Sequence, residues 1–253
     1  MNLYNSIKKY PFLRSIYNYK QYLKNKSIKE DSDAICKIFV IGLNKTGTTS
    51  IKKALDDFGY QIGNQIDAEL LTENTLKGDY KYLKEYIKTA EAFQDQPFSW
   101  RNIYKFLHKV YPNAKFILTI RKDCDTWYDS LINFTKARFK KNNIEIGDTI
   151  LLKDFKKITY RYKNMSYNIS KLVWQENKNY SSDENVLFDE DYCKYYYNKH
   201  IKEASEYFKG SNNFLILNIE DLNAYKTLCT FLDKQPLYDK FPHLNKTRKG
   251  FNE

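Results

Sequence analysis

Short apolar runs at four points of the chain predict buried β-strands. They cover Lys37-Ile38-Phe39-Val40-Ile41, ending at Gly42, then Ala92-Phe93-Gln94, residues 115–120 and residues 214–217. Runs of this length without polar alternation are typical of strands covered on both faces. Such strands are characteristic of parallel sheets.

Between these runs the apolar residues follow the spacing of helices. After the first run, Ile51, Ala54, Leu55 and Phe58 recur at helical intervals, and Gly59 stands where a helix commonly ends. The helix expected from about residue 123 should carry Trp127, Leu131 and Phe134 on one face. The full set of predicted helices is 48–58, 79–90, 99–110, from about 123, 190–209 and 222–232.

Strands that alternate with helices need crossover connections, which favour parallel pairing with helices on both sides of the sheet. We therefore predict an α/β fold with three αβα layers and a central, mainly parallel sheet. One domain over residues 36–253 is expected, with a helical insertion at about 138–189 over the edge of the sheet. Residues 1–35 would form a basic N-terminal arm or helix, either solvated or in contact with a membrane surface or an acceptor.

The charge and the cysteines narrow the class of protein. The net charge of +11 favours anionic partners, such as a nucleotide, an acidic glycan, nucleic acid or a membrane surface. The four cysteines and three histidines are scattered, so neither a disulfide framework nor a metal site is predicted. No apolar run is long enough for a signal peptide or a spanning helix. The expected location is a reducing cytoplasm.

The segment from Gly42 to Ser50 has the position and chemistry of a phosphate-binding loop. It connects a strand to a helix, where free N–H groups and the helix dipole attract anions. Its two glycines have the separation of a Walker A loop, but Thr48 and Thr49 replace the expected lysine and serine or threonine, and the lysine comes earlier, as Lys45. The loop is therefore a poor ATP or GTP loop, yet too rich in hydroxyls for a plain turn.

The string from Lys45 to Ser50 resembles the 5′-phosphosulfate loop of the sulfotransferase superfamily. The likeness continues at residues 92–98, 111–121, 127–131, 207–208 and 241–246, so it spans roughly 36–246. It implies 3′-phosphoadenosine 5′-phosphosulfate (PAPS) as co-substrate, adenosine 3′,5′-bisphosphate as product and no metal. The residues expected to bind the phosphosulfate are Asn44, Lys45, Thr46, Gly47, Thr48, Thr49 and Ser50.

Arg121 ends a buried strand at the edge where open α/β sheets bind ligands, and its guanidinium can hold a phosphate bidentately. The resemblance implies that Arg121 and Ser130 bind the 3′-phosphate. The alternative is that Arg121 pairs with Asp123 or Asp125 at the surface.

Two features bear on which branch of the family the chain resembles. Arg248-Lys249-Gly250 resembles a basic triplet that closes over the 3′-phosphate in cytosolic members, although a solvated tail is the alternative. Ser50 stands where cytosolic members place a tryptophan against the adenine, so adenine stacking stays unassigned. The chain is more similar to bacterial and carbohydrate-type members.

Two residues are expected to carry the chemistry. Lys45 would stabilise the leaving oxygen of the 5′-phosphate, where negative charge develops. Asp95 would be the general base for a hydroxyl or amine acceptor, such as a glycan or another small molecule. The alternative is that Asp95 caps a helix near Ser99 or pairs with Arg101.

Two other classes of protein compete with this interpretation. A P-loop kinase or NTPase has the same strand, loop and helix, but needs an acidic ligand for Mg²⁺, for which residues 217–221 are a weak candidate. A non-catalytic anion- or nucleic-acid-binding protein would use the positive charge alone. No nucleic-acid motif is visible in the sequence, and we expect no nucleic-acid partner.

Overall fold

A four-stranded sheet lies at the centre of the fold in the computed structural model, which describes residues 36–147, 149–174 and 188–241. The strands are β1 (Ile38–Val40), β2 (Ala92–Phe93), β3 (Lys115–Ile120) and β4 (Phe214–Asn218). Their order is β2-β1-β3-β4, and every pairing is parallel. The predicted parallel sheet is confirmed. The arm at residues 1–35 and the triplet Arg248-Lys249-Gly250 lie outside the described residues.

Helices cover both faces of the sheet, as the α/β prediction required. Those predicted from the apolar spacing are present with shorter ends, because the flanking turns are irregular. No helix in the described ranges combines the length and apolar composition needed to cross a membrane. The helices are α1 (Thr48–Asp57), α2 (Gln65–Leu70), α3 (Thr72–Leu76), α4 (Lys81–Ile87), α5 (Ile103–Val110), α6 (Cys124–Lys141), α7 (Met165–Val173), α8 (Glu190–Tyr207) and α9 (Ala224–Leu232), with a 3₁₀ helix at Leu152–Lys157.

Strand β1 shows why the apolar runs have no polar alternation. Phe39 packs towards one face, where aromatic rings including Phe93 and Phe98 stack around it. Ile38 and Val40 pack towards the other face, against α1 and α9. All three β1 side chains are at most 1% exposed. A strand with two covered faces has no solvent side on which polar residues would be favourable.

The described part of the predicted insertion is held by two glutamates of α2 and α3. Glu69 Oε2 accepts a hydrogen bond from Arg161 Nε at 2.6 Å. Glu73 Oε2 accepts from the hydroxyl of Tyr162 at 2.8 Å and from Asn168 Nδ2 at 3.0 Å. These contacts fix α7 and the residues just before it against α2 and α3, two helices that the sequence analysis did not predict.

Candidate active site

The loop between β1 and α1 requires both of its glycines. A Cβ atom on Gly42 would lie 2.0 Å from Thr119 Oγ1, so the loop can run this close to β3 only without a side chain. Gly47 has φ +96°, and a Cβ there would lie 2.2 Å from Ile219 Cδ1. Both glycines therefore allow a close backbone approach rather than simple flexibility.

The N-terminus of α1 leaves backbone donors available to an anion. The carbonyl of Gly47 accepts from the N–H groups of Ser50 and Ile51 at 3.0 and 3.2 Å. In the described part of the chain, no group accepts a hydrogen bond from the N–H of Thr48 or Thr49. The first turn also lacks an acidic residue. Free donors together with the helix dipole favour an anion at this point, and the binding of a phosphosulfate here stays a prediction.

The loop hydroxyls do not all face the same way. Thr46 is fully buried; its hydroxyl donates to the carbonyl of Leu43 at 2.6 Å and lies 2.6 Å from Thr119 Oγ1. Its side chain therefore connects the loop to β3 instead of facing a ligand. The other hydroxyl-bearing residues of the loop line the space in front of it.

A cavity of about 640 Å³ opens in front of the loop, at the carboxyl ends of the strands. Its lining residues come from the loop, the residues after β2, the end of β3, α6, the 3₁₀ helix, α7, α8 and the loop after β4. The predicted site residues that line it are Asn44, Lys45, Gly47, Thr48, Thr49, Ser50, Asp95, Arg121 and Ser130.

Arg121 connects the phosphate loop to the loop after β4. Its Nε donates to the backbone carbonyl of Lys45 at 2.7 Å, and its Nη1 lies 2.5 Å from Glu220 Oε1. Its own N–H donates to the hydroxyl of Tyr197 at 2.8 Å. The Arg121 side chain is 19% exposed, whereas that of Glu220 is 47% exposed. Arg121 therefore has a structural bond to the loop and a charge pair that faces solvent.

The alternative pairing of Arg121 with Asp123 or Asp125 is wrong, because both aspartates have other partners. Asp123 caps α6 by accepting from the N–H of Thr126 at 2.7 Å. Asp125 pairs with Lys194 of α8. The carboxylate that meets Arg121 comes instead from a residue 99 positions later in the sequence.

The side chain of Lys45 extends from the phosphate loop to α6. Its ammonium group is 4.0 Å from the centre of the Phe134 ring, close enough for a cation–π interaction. Partial burial and the positive charge of Arg121 lower the pKa of Lys45, while the carboxylate of Asp95 opposes this shift. The backbone at Lys45 has φ +75°, a left-handed conformation that is uncommon for lysine.

The carboxylate of Asp95 is oriented from one side. Its Oδ1 accepts hydrogen bonds from Asn44 Nδ2 and from the N–H of Gln96. Asn44 is itself held, because its Oδ1 accepts from Ser99 Oγ at 2.8 Å and its carbonyl accepts from Trp127 Nε1 at 2.9 Å. No hydrogen bond to Asp95 Oδ2 is formed within the described ranges, so this oxygen is available to a ligand.

Burial raises the pKa of Asp95. The N–H of Gln96 opposes the shift, the negative charge of Glu69 adds to it, and Asn44 and Lys45 oppose it. The carboxylate side chain neither caps a helix at Ser99 nor pairs with Arg101, whose ion-pair partner is Glu203 at 3.2 Å. Both parts of the alternative interpretation of Asp95 are therefore wrong.

The sequence analysis did not predict which elements form the side of the cavity opposite the loop. This side is formed by α6, the 3₁₀ helix, α7 and α8, and large apolar side chains cover most of it. Trp127, Leu131 and Phe134 share one face of α6, as predicted, and that face lines the cavity. The remaining aromatic positions are spread over distant elements, so no local pattern marks them. They are Trp100, Phe155, Tyr160, Trp174, Phe188 and Tyr196.

The acidic residues after β4 have partners other than a metal. Glu220 pairs with Arg121, and Asp221 Oδ1 accepts from Asn218 Nδ2 at 2.8 Å. Within residues 36–147, 149–174 and 188–241, no group of three histidine, cysteine, aspartate or glutamate residues could hold a metal ion.

A family model described as "Sulfotransferase domain" matches residues 37–250, which contain the loop, Asp95, Arg121 and the whole cavity. No curated protein matches the chain.

Proposed function

The chain belongs to the sulfotransferase domain family, and from that premise we propose that it transfers a sulfuryl group from PAPS to a hydroxyl or amine of a small acceptor. One observation carries the proposal: a loop with free N–H donors shares a single cavity with Arg121, Lys45 and Asp95. The N–H donors and Arg121 suit binding of an anion, whereas Lys45 and Asp95 suit the transfer step.

The donor would use two anion sites. The 5′-phosphosulfate would accept hydrogen bonds from the N–H groups at the start of α1, while Arg121 and Ser130 would bind the 3′-phosphate. Glu220 already accepts a hydrogen bond from Nη1 of the Arg121 guanidinium. A phosphate carries more negative charge than a carboxylate, so it should displace this half-exposed partner.

In the proposed reaction the acceptor oxygen or nitrogen attacks sulfur in line with the leaving oxygen. Asp95 Oδ2 takes the acceptor proton, a new bond to sulfur forms, and the bond from sulfur to the bridging oxygen of the 5′-phosphate breaks. Lys45 would stabilise the charge that this oxygen gains. The products are the sulfated acceptor and adenosine 3′,5′-bisphosphate.

Asn44 is a positioning residue in this scheme. By donating to Asp95 Oδ1 it helps to hold the carboxylate so that Oδ2 remains available. Its own contacts with Ser99 and Trp127 fix the Asn44 amide in the required orientation. An oriented base avoids part of the entropic cost of reaching the reactive geometry.

We also propose that the protein is located in a reducing cytoplasm. Cys36, Cys124, Cys193 and Cys229 are all free thiols, and two of them are buried. Unpaired buried cysteines are typical of proteins in reducing compartments. Nucleic acid has no part in the proposed function.

Adenosine 3′,5′-bisphosphate should stabilise the protein against heat, since a ligand of the folded state shifts the unfolding equilibrium by mass action. At a concentration of about 100 Kd the gain is ~2.7 kcal/mol. For a protein of this size that corresponds to a rise of roughly 5–10 °C in Tm. The measurement is a thermal melt with the bisphosphate, compared with ATP and Mg²⁺. A rise with ATP and none with the bisphosphate would contradict the proposal and favour a P-loop kinase or NTPase.

Substitution of Arg121 should distinguish nucleotides by their 3′-phosphate. Arg121→Ala is expected to weaken binding of the bisphosphate by about 10–100-fold, the value of a charge-assisted hydrogen bond, and binding of adenosine 5′-monophosphate by much less. Calorimetric titration of both nucleotides measures the difference. Lys122→Ala is the matched control, because Lys122 is an exposed neighbour that does not line the cavity. An equal loss for both nucleotides would leave Arg121 only its structural bond to the Lys45 carbonyl.

A further inference from the structure

One face of α6 connects the proposed donor site to the apolar side of the cavity. Ser130, Phe134 and Arg138 are spaced by four residues, so they lie on the same side of the helix, and all three line the cavity. Eight residues of helix rise about 12 Å, which separates Arg138 from Ser130 by that distance along the axis. Arg138 is therefore well placed to contact the acceptor rather than the 3′-phosphate.

Arg138 is a partly buried cation with no carboxylate partner among the described residues. Its Nη2 donates to Ser166 Oγ at 2.7 Å, and its guanidinium carbon lies 4.5 Å from the centre of the Tyr160 ring. No ion pair to Arg138 is formed in the part of the chain that the structure describes. Burial lowers the pKa of Arg138, while Tyr160 and the negative charge of Glu69 oppose this shift.

Glu69, whose negative charge acts on Arg138, already accepts hydrogen bonds from two other side chains. Glu69 accepts from Arg161 Nε at 2.6 Å and from the hydroxyl of Tyr160 at 2.8 Å. The guanidinium carbon of Arg161 also lies 4.7 Å from the centre of the Tyr160 ring, so two guanidinium groups pack on one tyrosine. Among the described residues, Glu69 is the one carboxylate in contact with this group of side chains. The cluster of Arg138, Arg161 and Glu69 therefore keeps one uncompensated positive charge at the cavity wall.

The surroundings of Arg138 make an anionic ligand favourable. Phe155, Ile169 and Trp174 of one apolar cluster also line the cavity, so little solvent would remain to screen a charge once a ligand is bound. A buried charge is costly unless it is paired, and a guanidinium pairs with carboxylate or sulfate through parallel hydrogen bonds. The same walls offer an extended apolar contact surface to the rest of the ligand.

We infer that Arg138 binds an anionic oxyacid group of the acceptor. This inference rests on the proposed function, which gives the other end of the acceptor its hydroxyl near Asp95 and Lys45. The acceptor is then a hydroxylated amphipathic anion, with an apolar or aromatic body against the wall and its negative group at Arg138. The sequence left open a glycan or another small molecule; the wall favours the second.

Binding of paired probes tests the inference without requiring turnover. The probes are 4-hydroxyphenylalkanoic acids of increasing chain length, each matched with its neutral primary amide, and titrated calorimetrically into the protein saturated with adenosine 3′,5′-bisphosphate. At the best chain length the acid is expected to bind at least tenfold more tightly than its amide, as a charge-assisted hydrogen bond provides. Equal affinity of acid and amide at every length overturns the inference.

Variants then assign the preference to one residue. Arg138→Gln keeps a hydrogen-bonding side chain but removes the charge, so it should abolish the preference for the acid while amide binding changes less than about threefold. Lys140→Gln is the matched control, since it removes an exposed charge from the same helix outside the cavity. If Lys140→Gln lowers acid affinity as much as Arg138→Gln does, the effect is general electrostatics and the inference is wrong.

Measuring the affinity for adenosine 3′,5′-bisphosphate distinguishes failure of the inference from failure of the proposed function. Arg138→Gln should leave bisphosphate affinity within about threefold of wild type, because the two sites are a dozen ångströms apart along α6. A parallel loss of bisphosphate affinity would assign Arg138 to the donor site and overturn the inference, with the proposed function intact. If the bisphosphate does not bind the wild-type protein, the proposed function fails, and the acid and amide titrations without nucleotide still decide the role of Arg138.

Discussion

Replacing Asp95 by asparagine is expected to lower kcat by about 10²–10⁴-fold, the usual contribution of a general base. Asparagine has nearly the same shape, and its amide oxygen can still accept the hydrogen bonds from Asn44 and Gln96 that the carboxylate Oδ1 now accepts. It cannot take a proton. The measurement is PAPS-dependent turnover, with calorimetry of adenosine 3′,5′-bisphosphate to show that donor binding is unchanged.

The same variant should be at least as stable as the wild type. Burial raises the pKa of Asp95, so the folded protein favours the protonated carboxyl. The stability that this provides is present at low pH and is lost as pH rises through the folded-state pKa, above which the ionised group is destabilising. At neutral pH, Asp95→Asn removes that unfavourable charge, and the free energy of unfolding should stay the same or rise.

The pH profile and a matched control complete this test. In the wild type, kcat should fall on the acid side with an apparent pKa above the ordinary aspartate value, and Asp95→Asn should lack that limb. Asp125→Asn removes an exposed carboxylate that pairs with Lys194 outside the cavity, and should leave kcat unchanged. Nearly full kcat in Asp95→Asn, or a loss of stability that accompanies the loss of activity, would place the base elsewhere.

Replacing Lys45 by alanine is expected to lower kcat by about 10²–10³-fold, the usual effect of removing one group that stabilises a developing negative charge. Bisphosphate binding should be weakened much less, because the N–H groups at the start of α1 and the Arg121 guanidinium remain. Single-turnover kinetics with saturating PAPS measures the rate, and calorimetry measures the nucleotide affinity. A larger loss of rate than of nucleotide affinity would show that Lys45 acts on the transition state more than on the ground state.

Two further variants make the Lys45 result interpretable. Lys45→Arg keeps a cation beside Phe134 and should recover part of the rate, whereas a purely structural role would not depend on charge. Lys122→Ala removes a cation from the same edge of the sheet, outside the cavity, and should have little effect. Unchanged turnover in Lys45→Ala would remove Lys45 from the mechanism; equal losses of rate and bisphosphate affinity would make it a binding residue only.

Both proposed catalytic residues have a backbone conformation that their side chains do not favour. Lys45 has φ +75° and Asp95 has φ +61°. Non-glycine residues in the left-handed region carry strain of about 1–3 kcal/mol, which the surrounding contacts must offset. At Lys45 the carbonyl is held by Arg121, and at Asp95 the carboxylate is held by Asn44. Strain held in place by such contacts is common at functional sites.

The sequence by itself determined the sheet and the position of the loop between β1 and α1. Residues 115–120 were predicted as a strand and form β3 without a shift at either end, because a fully buried strand leaves an unbroken apolar run. The helix after the loop begins at Thr48 as predicted, since Gly47 and the apolar spacing that follows it are local signals. These features depend on residues that are close together in the chain, so they can be recognised from a single sequence.

The tertiary structure alone decided which side chains face the cavity and what they contact. Arg121 meets Glu220 instead of a nearby aspartate, and Thr46 turns inwards to Thr119, because both directions depend on strands that are distant in sequence. Helices α2 and α3 are only six and five residues long, too short to show a helical period, yet they anchor the segment that closes the cavity. The same anchoring engages Glu69 with Arg161, so Arg138 lines the cavity without an ion pair to any described residue.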